Sequence, residues 1–186
     1  MLILVSIIYV VLHVGIAIYD FSFYRIPNVL LGALFMLYVL CIPFAMETDA
    51  ILISFGVFLA VLAAGLGLYA LKYFGAGDAK YLAVASLWIG GGQEIIQFIF
   101  IVTMMGGVLA VLYLLFKEHM ARLSNVIWNF IQKGETKYPL LQSVWVGSGS
   151  GAERGNRENI SSKVVPYGVA IASGALIMMK LKPLLL

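Results

Sequence analysis

The sequence predicts an all-α integral membrane protein, a bundle of six transmembrane helices with one large cytoplasmic loop. Three observations predict it. Of the 186 residues, 62% are hydrophobic and only 11% are charged, whereas a soluble domain is about 45–50% apolar and about 25% charged. The apolar residues fall into long runs, and a helix needs about 20 of them to cross about 30 Å of hydrocarbon. The basic residues gather on one side of those runs, so the net charge of +3 reads as a topology signal and implies no nucleic-acid partner. The length suits one domain over residues 1–186, in which six spans leave a single sizeable loop at about 117–163.

Residues 1–19 form an apolar run of spanning length, closed by Asp20. No Lys or Arg precedes it, and a cleaved signal peptide would carry a basic start and a shorter apolar stretch, so a retained first span is expected. His13 lies seven residues before Asp20, two helical turns away on the same face. It reads as a polar residue bonded to a neighbouring helix, with a catalytic role as the alternative. Residues 21–28 make a short polar and aromatic connection in which Pro27 suits a first helical turn. The second span runs from about 29 to 45 and is followed by Glu47 and Asp49. The third covers about 51–73 and ends beside Lys72.

Between Tyr81 and Gly92 only twelve residues are free of charge, too few to cross the hydrocarbon at about 1.5 Å per residue. Either this segment is re-entrant, or its helix starts near Phe74 and carries Asp78 and Lys80 into the edge of the bilayer. The fifth span is expected at 95–116 and the sixth at 164–181. Charge decides between the two readings of segment four. If it crosses, ten of the twelve basic residues lie on one side: Arg25, Lys72, Lys80 and seven in the loop after span five. The more basic side is cytoplasmic. Six crossings then put both termini outside, although Lys180 and Lys182 sit on the less basic side.

Asp20 ends span one and Asp78 follows span three, so the two carboxylates share one membrane face. An ionised group in a spanning segment is costly, and by default marks a functional site. Two carboxylates at one site cannot both ionise cheaply, so the pair keeps one proton. The ionised member can take a proton from water while the protonated member polarises a carbonyl, which is acid–base hydrolysis without a covalent intermediate. Gly75 and Gly77 are expected to let the backbone bend and a substrate chain approach. Lys80 and Arg25 either tune the pair or anchor the chain at the headgroups. The competing reading pairs Asp20 and Asp78 separately with Arg25 and Lys80. No cofactor is implied, and with His13, His119 and Cys41 as the whole His and Cys inventory, no metal site is expected. In the loop, Met120, Leu123, Ile127 and Phe130 recur at helical spacing, as in a helix lying on the membrane or packed on the bundle. Gly147-Ser148-Gly149-Ser150-Gly151 reads as a flexible linker.

Gly75-Ala76-Gly77-Asp78-Ala79-Lys80 resembles the GxGDxK motif of type IV prepilin peptidases, which are intramembrane aspartyl proteases. Asp20 followed by Arg25-Ile26-Pro27-Asn28 resembles that family's first aspartate with its downstream I-P-N. Val165-Pro166-Tyr167-Gly168-Val169-Ala170-Ile171 resembles the P-Y-G-x-A-I segment of its last span. The three motifs occur in order, and the resemblance covers nearly everything except residues 117–162. It implies Asp20 and Asp78 as the catalytic pair near the cytoplasmic face of the cell inner membrane. Gly75, Gly77, Lys80, Arg25, Pro27, Asn28, Pro166, Tyr167 and Gly168 follow as supporting residues. It further implies a prepilin or pseudopilin substrate, cut close to a glycine just before the hydrophobic stem. Larger members add an N-methylating domain with paired CxxC motifs. A chain with one cysteine resembles the short peptidase-only type that serves tight-adherence (Flp) pili. Two other functions stay open: a GxGD protease of preflagellin-like or other signal-anchored substrates, and a non-enzymatic transporter or assembly subunit using Asp78 and Lys80 as an ion relay.

Overall fold

The computed structural model describes residues 2–45, 48–116, 126 and 165–181. The expectations for Glu47, for the loop with its helix and glycine linker, and for Lys182 lie outside these residues. Among the described residues the regular structure is helical, in six elements: α1 (Leu2–Phe23), α2 (Asn28–Ala45), α3 (Thr48–Ala70), α4 (Ala76–Ile89), α5 (Gln93–Leu115) and α6 (Tyr167–Leu181). Each coincides with an apolar run of the sequence.

Three of them, α1, α3 and α5, are long and apolar enough to cross a membrane, while α2 and α6 are shorter apolar helices. Large apolar side chains such as Ile3, Leu52, Phe100 and Leu114 point outward. Helices that are apolar on their outer faces too are at home in lipid. With 14 residues, α4 is about 21 Å long at 1.5 Å per residue. It packs against α2, α3, α5 and α6, and its run from Ala83 to Trp88 is buried. The fourth segment is thus the centre of the bundle, and its helix includes Asp78 and Lys80.

Small residues set the closest approaches. A Cβ on Gly65 of α3 would lie 2.9 Å from the Ala79 Cβ of α4, and one on Gly174 of α6 would lie 2.6 Å from Val102 Cγ2 of α5. Such positions let helix backbones approach each other in lipid, where no hydrophobic drive between helices exists. The α4–α5 turn, Gly90-Gly91-Gly92, needs glycine for another reason. Gly90 and Gly92 have φ of 79° and 78°, which a side chain disfavours.

Several boundaries differ from expectation: α3 runs from Thr48 to Ala70, about three residues earlier at each end than the 51–73 expected, and α6 starts at Tyr167, after the expected 164. Asp20 does not close α1; the helix continues to Phe23. Tyr19 and Phe23 stack with ring centroids 4.1 Å apart, and Ser22 Oγ donates to the Ile18 carbonyl, so this aromatic and polar stretch still forms a turn. Pro27 precedes α2, and its carbonyl accepts from Leu30 and Leu31. It occupies the cap, one residue before the first turn, where its missing N–H is equally harmless.

Candidate active site

Asp20 and Asp78 come from different helices, and each is held by backbone N–H groups. The Asp20 side chain, 4% exposed, leaves α1 towards the start of α6, where Gly168 N–H donates to its Oδ2 at 2.7 Å. The Val169 N–H, which donates to the Pro166 carbonyl at 3.2 Å, also faces this carboxylate. The first N–H groups of a helix have no partner within the helix. Pro166, fully buried just before α6, offers no side-chain oxygen to cap them. Asp20 therefore caps α6 from another helix, at the positive end of the helix dipole, where negative charge is favoured. The approach requires glycine, because a Cβ on Gly168 would lie 2.7 Å from Oδ2 and 2.9 Å from Cγ of Asp20.

Asp78 is the third residue of α4, and its carboxylate accepts from the backbone N–H of Gly75, the residue that caps this helix. An acid at this position reaching back to the cap is half of a capping box. Gly75 has φ −78° and ψ 143°, extended backbone open to any residue. The expectation that this glycine is there to bend the chain is therefore corrected. It is there for space, because a Cβ would lie 2.5 Å from the Asp78 Oδ2. Gly77, by contrast, lies within α4. It faces Ile26, whose Cβ is 3.5 Å from where a Cβ on Gly77 would stand, so the connection before α2 rests on the first turn of α4.

Asp78 lies close enough to Asp20 for its charge to be felt there. Of the other residues that the motifs single out, Tyr167 meets Phe74 edge to face with ring centroids 5.9 Å apart. These rings stand immediately before Gly168 and Gly75, the residues that hold the aspartates. Arg25, Asn28 and Lys80 are exposed. Lys80 follows Asp78 by two residues and so lies on another face of α4. Among the described residues no three His, Cys, Asp or Glu side chains come together as a metal site would require.

His13 is fully buried and its Nδ1 is 2.5 Å from the Tyr81 hydroxyl of α4, in agreement with the reading of it as a helix-to-helix contact. Sequence reasoning missed its partner, although Tyr81 stands three residues after Asp78 and so on the same helix face. It also missed Tyr24, whose hydroxyl is bonded to that of Tyr113 on α5 and whose φ of 53° is unusual for a residue with a side chain.

A model of the type IV leader peptidase family matches residues 6–113, more than half of the chain and inclusive of both aspartates. Searches of curated proteins and of solved structures gave no match.

Proposed function

The chain belongs to the type IV leader peptidase family, and on that premise we propose an intramembrane aspartyl endopeptidase in which Asp20 and Asp78 activate water to remove the leader of a prepilin or pseudopilin. Membership makes it a leader peptidase-type protease with a peptide substrate, and its long apolar helices make it a membrane protein. The observation that carries the finer reading is the convergence of two carboxylates from separate helices. Each takes N–H groups at a helix start, within electrostatic reach of the other.

In this reading the pair shares one proton and titrates as a unit. The ionised carboxylate accepts a proton from water as the water oxygen bonds to the scissile carbonyl carbon. The other carboxyl donates its proton to the carbonyl oxygen. When the resulting diol collapses, the carbon–nitrogen bond breaks. The leaving nitrogen takes a proton from one carboxyl while the other recovers one from a diol hydroxyl, so the pair ends as it began. The N–H groups of Gly168 and Gly75 hold the carboxylates through these exchanges without taking part in them.

All six helices cross the inner membrane in this proposal, with the pair at the cytoplasmic face, the loop at about 117–163 cytoplasmic and both termini outside. Supporting this are the exposed Arg25, Lys72 and Lys80, which suit headgroup anchors. The sequence has one cysteine and hence no paired CxxC motif, so methyl transfer is no part of the proposal. Co-expression with a prepilin and a gel assay of leader removal test it. The wild type should shorten the prepilin, and Asp20→Asn and Asp78→Asn should leave it at full length. Complete processing by either variant would remove that residue from the mechanism.

A further inference from the structure

The helices that bring the two aspartates do not pack closely along their backbones, since α1 rests chiefly on α2 and α6 while α4 rests on α2, α3, α5 and α6. Side chains span the gap between α1 and α4. His13 Nδ1 is hydrogen-bonded to the Tyr81 hydroxyl. Tyr9 lies edge-on to His13, ring centroids 4.2 Å apart, and against Trp88 of α4 at 4.9 Å. Tyr9, His13 and Tyr81 are all fully buried.

The placement of this bond is what gives it meaning. His13 is two helical turns from Asp20 on one face of α1, and Tyr81 is about one turn from Asp78 on one face of α4. The bond therefore lies on the same faces of α1 and α4 as the carboxylates. It is also a costly way to glue two helices. The His13 Nε2 and the Tyr9 hydroxyl have no hydrogen-bond partner among the described residues, and a buried polar atom without a partner loses its solvation for nothing. Apolar side chains of similar shape would join the helices at least as well. They would not fix a distance and a direction, as a hydrogen bond does.

We infer that the His13–Tyr81 hydrogen bond positions the aspartate pair, setting the spacing and axial register of α1 against α4 so that Asp20 and Asp78 meet. This rests on the proposed aspartyl mechanism. His13 and Tyr81 are positioning residues, which touch no reacting atom and act through the geometry of the carboxylates. A misplacement of about 1 Å costs about 100-fold in rate, so losing the bond reduces kcat and leaves substrate binding alone.

The test uses the full chain in lipid nanodiscs and a synthetic peptide with a basic leader, a glycine at the cut and an apolar stem. The variants are Tyr81→Phe, His13→Leu, the two combined, His13→Asn, Asp20→Asn and Asp78→Asn. Tyr81→Phe keeps the ring and its packing and removes only the hydroxyl, so it is the decisive variant. It should lower kcat by about 10- to 100-fold with KM changed less than about twofold. The double variant should be no slower than the slower single one, because both remove the same bond. His13→Asn, whose amide stands where Nδ1 stood, should recover activity relative to His13→Leu. The inference is overturned if Tyr81→Phe retains kcat within about twofold, or if the two losses multiply. If instead Asp20→Asn or Asp78→Asn cleaves the peptide normally, the aspartyl mechanism itself has failed, whatever Tyr81→Phe does.

Discussion

A methyl group on Gly168 would stand 2.7 Å from Oδ2, 2.9 Å from Cγ and 3.0 Å from Cβ of Asp20. Rotating the Asp20 side chain cannot relieve this, because its Cβ is fixed to the backbone. Gly168→Ala is therefore expected to push α6 from α1, at about 1–3 kcal/mol for an overpacked contact, and to lower the cleavage rate by about 100-fold. Thermal unfolding in detergent and leader-removal rates measure both. Gly75→Ala differs in kind. Only the Oδ2 of Asp78 comes within 3 Å of the new Cβ, so the carboxylate can swing aside. This variant should unfold at the wild-type temperature and still lose about 10-fold or more in rate. Gly77→Ala meets Ile26 at an ordinary contact distance of 3.5 Å and should cleave at near the wild-type rate. Equal losses at all three positions would contradict this reading. Acid affects the same two residues: when both carboxyls are protonated no base remains, and the kcat–pH profile should fall on its acid side.

The glycines that seat helix on helix act at a larger scale. Gly174 lets α6 approach α5 until a Cβ there would be 2.6 Å from Val102 Cγ2 and 3.5 Å from its backbone nitrogen. Since α6 also delivers the N–H group that holds Asp20, Gly174→Val should destabilise the bundle by about 1–3 kcal/mol and slow cleavage from more than a helical turn away. A Cβ on Gly67 of α3 would meet nothing within 4 Å. Gly67→Ala should be neutral or stabilise by up to about 1 kcal/mol, which thermal unfolding of the two variants compares. These couplings mark the limit of what could be read in the sequence. Apolar run lengths placed all six helices to within a few residues, because lipid leaves a backbone little choice but the helix. Parity and the motif spacing predict Asp20 and Asp78 on one side. Packing was another matter: that Gly168 holds Asp20 across 148 residues, and that His13 pairs with Tyr81, depends on which helix faces of a uniformly apolar chain meet. The extension of α1 past Asp20 was hidden for a related reason, since Ser22 and Phe23 look like loop residues until Ile18 and Tyr19 are seen to receive them.

For the whole molecule, α4 decides the topology. At about 21 Å it is shorter than the hydrocarbon layer, yet it sits inside the bundle, where four other helices pack against it and little of its surface needs to match the thickness of the lipid. Backbone that ends at membrane depth is tolerated where protein encloses it, so a short central helix can connect the two sides without a long apolar run. If it does so, the chain returns to the cytoplasmic side after α5 and the most basic loop lies inside, as the positive-inside rule requires. If α4 were re-entrant, that loop would face outwards. Single cysteines distinguish the two in a Cys41→Ser background, which removes the only native thiol. In spheroplasts a membrane-impermeant maleimide should label Asp49→Cys at the start of α3, and should leave Arg25→Cys, Lys80→Cys and Ser143→Cys unlabelled until the cells are lysed. Labelling of Ser143→Cys before lysis would make α4 re-entrant. Labelling of only one of Arg25→Cys and Lys80→Cys would put Asp20 and Asp78 on opposite faces, and no shared water could then lie between them.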